Sequence, residues 1–186
     1  NDIKDDIITN TNTIGHSHVL HPNWRTLEKS NLVLKRLILK AASRLRRKNY
    51  FCKKLKISLK SQCGKKFEKN KKFSRTSDSL TLLEEVDFIW KNILKTHKIK
   101  TVKKISVILY DLEFTDSPQM NFLESFDHKF QDSLKKRKKL SRTMDKINTR
   151  FGKDSITIGS ISKKISRFSG TKIAFTRIPD ISEFYE

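Results

Sequence analysis

The chain has 186 residues, with 41 Lys or Arg against 20 Asp or Glu, for a formal net charge of +21. A hydrophobic fraction of 35% supports one modest core, while a charge this far from zero exceeds what solubility needs and points to a polyanion, nucleic acid before an anionic membrane surface. No apolar run approaches the ~20 residues of a membrane span. The start, Asn1 to Asp6, has neither the basic nor the apolar part of a secretion signal. Two cysteines are too few for a disulfide framework or a four-cysteine zinc site, so a reduced, cytoplasmic protein is expected. The chain has no initiator Met, and a piece of a longer protein is the expectation.

Residues 1–13 are acids followed by an Asn/Thr run and read as a linker. Ile14 to His21, with Val19-Leu20 as its apolar part, predicts a first strand. Pro22 and Asn23 then prepare a helix start. Leu27, Leu34, Leu37, Ile38, Ala41, Ala42 and Leu45 recur at helical spacing, so a helix is expected from about Trp24 to Lys48. In Tyr50 to Lys60, Phe51, Leu55, Ile57 and Leu59 share one parity while Lys54, Lys56, Ser58 and Lys60 share the other. That is the period of a strand with one buried and one wet face. From Lys35 to Lys60 there are eleven Lys or Arg and no acid.

Gln62-Cys63-Gly64 supplies a turn, and Phe67 to Arg75 returns as an antiparallel partner. Its alternation is poorer, because Lys69 and Lys71 share the parity of Phe67 and Phe73; a bulge or an exposed hairpin accounts for this. Asp78 offers a cap for a helix carrying Leu80, Leu83, Val86, Ile89, Trp90 and Ile93. Ile105, Val107 and Leu109 alternate in a fourth strand. The expected fold is therefore α+β: β-α-β-β-α-β over 14–115, a four-stranded antiparallel sheet with two helices on one face. The other face, with Lys54, Lys56 and Lys60, is left open. Residues 116–186 read as an extension with a basic helix over about 127–150, ended by Gly152. A short strand at Ser155 to Ile158 and an irregular, partly ordered tail follow.

Several stretches, in this order, carry a resemblance. Ile14-Gly15-His16-Ser17-His18-Val19-Leu20-His21-Pro22, with the helix ending Ala41-Ala42-Ser43-Arg44-Leu45-Arg46-Arg47, resembles the start of the C-terminal "little finger" domain of Y-family (UmuC/DinB-type) translesion DNA polymerases. Val102 to Leu112 resembles that domain's last strand. Met144 to Ser155, with Asp145, Ile147-Asn148, Arg150-Phe151-Gly152 and Asp154, is similar to a run that follows it in bacterial members. Lys172 to Asp180 is similar to an ending found in a subset of them. The resemblance implies lesion-bypass DNA repair, an SOS-response setting, and a sheet face laid along the major groove behind the active site. It also implies that the catalytic carboxylates and their Mg2+ belong to a palm domain of the parent polymerase, with no catalytic residue, cofactor or small-molecule substrate in this chain. Asp2, Asp5 and Asp6 have no strand to frame them and read as solvated linker charge.

The candidate contacts to duplex or primer–template DNA are Lys54, Lys56, Lys60, Lys72 and Arg75, with Arg44 and Arg47 in support. Charges on the strand's open face are the better candidates; those on the helix contribute to the general field. Gln119-Met120-Asn121-Phe122-Leu123 resembles the sliding-clamp-binding peptide of bacterial polymerases, with its terminal apolar pair reversed; Gln119, Met120, Phe122 and Leu123 are the candidate contacts. Otherwise it is a local cluster pinning the third helix. His16, His18 and His21 have no Cys or carboxylate nearby to complete a metal site. Two other functions fit the composition. One is a free-standing basic RNA-binding or ribosome-associated protein on a similar sheet; the other is a non-catalytic Y-family paralogue acting as an adaptor. RNA-binding sheets present aromatics for base stacking, and here only Tyr110 is placed to do so.

Overall fold

A computed structural model describes residues 12–114, 128–152 and 154–159. The order is β1 (Thr13–Val19), α1 (Leu27–Arg47), β2 (Phe51–Ser61), β3 (Lys66–Thr76), α2 (Ser79–Thr96), β4 (Val102–Glu113) and α3 (His128–Phe151). The four strands form one antiparallel sheet in the order β1-β4-β2-β3. This is the α+β arrangement that the alternating and helical periods predict.

The core lies between the sheet and helices α1 and α2. Leu55, Ile57 and Leu59 of β2 and Ile105, Val107 and Leu109 of β4 are fully buried. They meet Leu34, Leu37, Ile38, Ala41 and Leu45 of α1 and Leu82, Val86, Ile89 and Ile93 of α2 in one cluster. Because strand side chains alternate, burying this set fixes the register and turns the intervening residues to the opposite face. Truncating such a fully buried Leu or Ile to Ala typically costs ~2–5 kcal/mol.

The helix ends show why the chain turns where it does. Pro22 does not open α1; it opens a separate 3-10 turn, Pro22–Trp24, and α1 begins at Leu27 behind Thr26. The isolated pairing of Thr26 with Thr101 holds this junction against the start of β4. At the other end Asn49 takes a left-handed φ of 56°. Its N–H bonds Arg46 O at 3.0 Å, and the Tyr50 N–H bonds Leu45 O at 3.0 Å. This paired closure satisfies the last carbonyls and sends the chain back as β2. Asp78 caps α2, accepting from the Thr81 N–H at 2.8 Å.

The weak alternation of β3 has a positional cause. It is an edge strand, and Lys71 points toward the helix side, where it pairs with Glu85 of α2 at 2.6 Å and covers the Phe88 ring at 3.9 Å. A lysine is tolerated at a nominally inward position because the edge lets its ammonium reach solvent. The register also shifts between Cys52 and Lys54. Next to it, Asp111 of β4 stands at φ +58°. That left-handed step lets Leu109 and, three residues on, Leu112 both pack on the core. Gly15 is needed where β1 lies on β4, since a Cβ there would come within 2.7 Å of Val107 O.

Helix α3 packs against the helices. Arg46 of α1 forms a two-pronged pair with Asp145, Nε to Oδ2 at 2.6 Å and Nη2 to Oδ1 at 2.9 Å. Ser141, buried, accepts from the Ser79 N–H at 3.0 Å, and Arg137 pairs with Glu84 at 2.9 Å. Gly152 ends α3 with a φ of +98°. Ser155 to Ile158 is not a strand: the region is a turn, in which Asn148 takes the place of a strand partner. Its Oδ1 accepts from the Ile156 N–H at 2.9 Å and its Nδ2 donates to Ile156 O at 3.0 Å. The tail beyond 159, the Gln119–Leu123 peptide and nearly all of the linker lie outside the described residues.

Candidate nucleic-acid interface

The strand registers build the open face as a grid. Thr13, Tyr110, Lys54 and Lys72 form one row across the four strands; Gly15, Ile108, Lys56 and Asn70 form the next. Ser17, Ser106, Ser58 and Glu68 form the third, and Val19, Lys104, Lys60 and Lys66 the fourth. Side chains in adjacent strands of one row stand ~4.5–5.5 Å apart at Cβ, so each row is a contiguous strip of surface.

Six lysines thus share the face: Lys54, Lys56, Lys60, Lys66, Lys72 and Lys104. Two carboxylates are set among them. Glu68 receives Lys66 at 2.5 Å, Lys56 at 3.1 Å and the Ser58 hydroxyl at 2.6 Å. The Lys66 ammonium, then Ser58 and Lys56, hold its carboxyl down to about 2. Asp111 receives Lys54 at 2.9 Å, which lowers the Asp111 carboxyl and raises the Lys54 ammonium. Lys54 also lies over the Tyr110 ring, 5.9 Å from its centre. Lys60, Lys72 and Lys104 make no ion pair with another described residue. Their charge is therefore directed outward, while that of Lys54, Lys56 and Lys66 is partly met from within. Exposed lysine–carboxylate pairs are weak, worth ~0–1 kcal/mol, and exchange readily for a phosphate.

The candidate residues divide accordingly. Lys54, Lys56, Lys60 and Lys72 are brought onto one surface. Arg75 is not in this grid: its guanidinium stacks on Phe51 at 3.8 Å and pairs with Glu113 at 3.0 Å, and its side chain is only 12% exposed. Lys53 completes that cluster from the other oxygen of Glu113. Arg44 and Arg47 belong to α1, across the sheet from the grid. Sequence reasoning missed Lys104, although its parity with Ser106, Ile108 and Tyr110 was there to be read. It also missed Lys66 and the two carboxylates, whose partners depend on cross-strand register. Tyr110 is the one aromatic residue in the grid.

With this geometry established, comparison with known proteins locates the chain. The sequence model of the impB/mucB/samB family C-terminal domain matches residues 11–122. The chain belongs to this family, the C-terminal little finger domain of Y-family DNA polymerases. No similar sequence was found among curated proteins. Among solved structures, the chain is similar to a post-insertion binary complex of Dbh DNA polymerase, at 18% identity and a TM-score of 0.48, over 55% of this chain and 29% of that one. It is similar to DinB from Sulfolobus solfataricus at 19% identity and a TM-score of 0.45, over 53% of this chain and 28% of that one. It is also similar to the little finger domain of PolIV in complex with the beta-clamp processivity factor, at 12% identity and a TM-score of 0.44, over 59% of this chain and 97% of that one. The chain thus spans under a third of the Dbh and DinB polymerases.

Proposed function

We propose that this chain is the duplex-gripping part of a bacterial lesion-bypass DNA polymerase, and that it holds primer–template DNA by its phosphates through the open sheet face. The observation that carries this reading is the registered grid of six lysines on the face the helices leave bare. Phosphate contacts position a protein without reading sequence, which suits an enzyme that must hold any template. Ser17, Ser106 and Ser58 of the third row are short, so a phosphate backbone can approach the sheet between the lysine-bearing second and fourth rows. A base-stacking RNA platform needs several aromatics where this grid has Tyr110 alone.

In this reading nucleotidyl transfer and its Mg2+ belong to a palm domain of the parent polymerase, and the setting is the cytoplasm. A sliding clamp is the second partner, met through Gln119, Met120, Phe122 and Leu123. The support there is the peptide's sequence: a Gln amide and large apolar side chains suited to a preformed pocket. Clamp pull-down with wild type against Gln119→Ala plus Phe122→Ala tests it; equal retention contradicts it.

The DNA contact is tested by the salt dependence of duplex binding. Each neutralised phosphate contributes ~0.9 to the slope of log affinity against log salt. Lys60→Gln with Lys72→Gln should lower that slope by about 2. A slope unchanged by the pair rules the open face out.

A further inference from the structure

The β2–β3 hairpin and the loop from α2 to β4 face each other across a cleft of about 710 Å3 at one end of the sheet. Both walls are short connections, and both are fixed. In the hairpin the Ser61 N–H bonds Lys65 O at 2.9 Å and the Gly64 N–H bonds Ser61 O at 3.1 Å. In the loop Ile99 is buried and its N–H bonds His97 O at 2.9 Å, while Thr101 pairs with Thr26. Arg25 joins the two walls. Its carbonyl accepts from the Val102 N–H at 2.9 Å, and its guanidinium donates to Gln62 Oε1 at 3.2 Å. The cleft is therefore formed before anything enters it, which spares a ligand the cost of ordering its walls.

Two rings and three lysines line this cleft. Phe67, on the edge strand β3, is half-buried and packs against the core. The His97 ring, just past the end of α2, lies with its centre 4.8 Å from that of Phe67 and its plane tilted by 42°. His97 is itself exposed, so a third flat group can extend the pair. Lys65, Lys98 and Lys100 stand around the rings, also exposed, and no carboxylate is among the described residues of the lining. Lys65 precedes Lys66 of the grid's fourth row, so the cleft begins at the corner where the open sheet face ends. The two surfaces differ in kind. The grid offers phosphate contacts with Tyr110 as its one ring, whereas the cleft sets two rings among its cations. Lysines hold phosphates alone; lysines with rings also hold bases, and bases have free faces only where the strand is unpaired.

We infer that this cleft is a site for single-stranded DNA, in which an unpaired base stacks on the His97–Phe67 pair and its flanking phosphates meet Lys65, Lys98 and Lys100. The inference rests on the proposed duplex grip only in naming DNA as the strand. A duplex suits the cleft less, because its stacked pairs offer the rings no face. An acidic peptide suits it less as well, because it answers the lysines and leaves the rings unused.

The test uses the 186-residue chain and its open-face variant (Lys54→Gln, Lys56→Gln, Lys60→Gln, Lys72→Gln). The probes are an oligo-dT of about 12 nucleotides, an abasic strand of the same length, a short duplex and an oligoglutamate peptide. Cys63 lines the cleft and is exposed, so its alkylation by the uncharged reagent N-ethylmaleimide reports occupancy without any substitution in the site. Saturating oligo-dT should slow that alkylation severalfold in both forms of the chain. Affinities are then measured on the open-face variant, where the grid contributes little. His97→Ala added there should weaken oligo-dT roughly tenfold and leave the abasic strand unchanged, while His97→Tyr, which keeps a ring, should retain the affinity. Lys65→Gln, Lys98→Gln and Lys100→Gln together should lower the single-strand salt slope by about 2. Circular dichroism melts establish that each variant is folded. An alkylation rate unmoved by oligo-dT overturns the inference. So does equal affinity for oligo-dT and the abasic strand, or equal protection of Cys63 by oligoglutamate. Failure of the sheet-face reading is distinguishable: it leaves the open-face variant with wild-type duplex affinity, whatever oligo-dT does at Cys63.

Discussion

Arg46 and Asp145 stand 99 residues apart in sequence and are joined by two hydrogen bonds, at 2.6 and 2.9 Å. The same guanidinium donates to Ser77 O at 2.7 Å and to Ser79 Oγ at 3.1 Å. One side chain thus ties the end of α1, the start of α2 and the middle of α3 together, with only 7% of its surface exposed. Removing one partner leaves a largely buried charge without its counterion, which costs more than the pair itself contributes.

Asp145→Asn should therefore loosen α3 by about 2 kcal/mol while leaving the sheet core intact. Amide hydrogen exchange reads both at once. Faster exchange through 135–150 with unchanged protection in Leu55–Leu59 is expected. Uniform loss of protection would show that α3 and the sheet unfold as one unit.

Asp111 is held in the left-handed region and spends its charge on Lys54. Asn adopts that backbone conformation at least as readily as Asp, so Asp111→Asn should fold normally, leave Lys54 unopposed, and raise duplex affinity roughly threefold. Asp111→Val should instead lower stability by ~1–2 kcal/mol, because a β-branched residue resists a positive φ. Urea melts and duplex titrations of the two variants separate the effects. An Asn variant weaker on DNA than wild type would contradict the role assigned to the pair.

The carboxyl of Glu68 gives a pH signature. Lys66, Ser58 and Lys56 depress it to about 2 from an ordinary 4.5. A depressed carboxylate contributes fully above its unfolded value, and its contribution fades as pH falls from about 4.5 toward 2. Proton-coupled NMR of the Glu68 carboxyl should show a midpoint near 2. In Lys56→Gln plus Lys66→Gln it should return toward 4.5. Glu68→Gln should strengthen duplex binding at neutral pH by freeing two lysines. A normal midpoint in the wild type would remove the cluster from the account.

The two thiols should differ sharply. Burial pushes Cys52 up to about 12, whereas Cys63, exposed at the hairpin tip, is pushed down by the Ser61 hydroxyl 3.0 Å away. A thiol-disulfide reagent at neutral pH should modify Cys63 alone, and Cys52 only after denaturant unfolds the sheet. Equal native-state rates would contradict the placement of Cys52 in the core.

Much of this fold was legible in the residues. Leu55, Ile57 and Leu59 against Lys54, Lys56 and Lys60 fixed both the strand and the side the helices would cover, because burying one parity exposes the other. Asp78 marked the start of α2 by its chemistry alone. The misreadings also have physical causes. Pro22 suits the first turn of any helix, and nothing local distinguishes a 3-10 turn from α1. Ser155 to Ile158 carries β-branched residues that suit a strand, and only the structure shows Asn148 holding the Ile156 backbone in a turn. The site was less legible than the fold. Parity alone places lysines on a face, but Lys66, Glu68 and Asp111 acquire their partners from register, and register depends on irregularities that lie between Cys52 and Lys54 and between Lys60 and Ser61. Arg75 carried the right charge in the right strand, and only the packed structure shows it committed to Phe51 and Glu113.

The most direct measurement is an NMR titration of the 21.8 kDa chain with a short DNA duplex, followed residue by residue. The account predicts that the largest backbone and lysine side-chain shifts fall on the grid, at Lys54, Lys60, Lys72, Lys104, Ser106 and Ile108. Shifts confined to α1 around Arg44 and Arg47, with β2 and β4 unmoved, would contradict it.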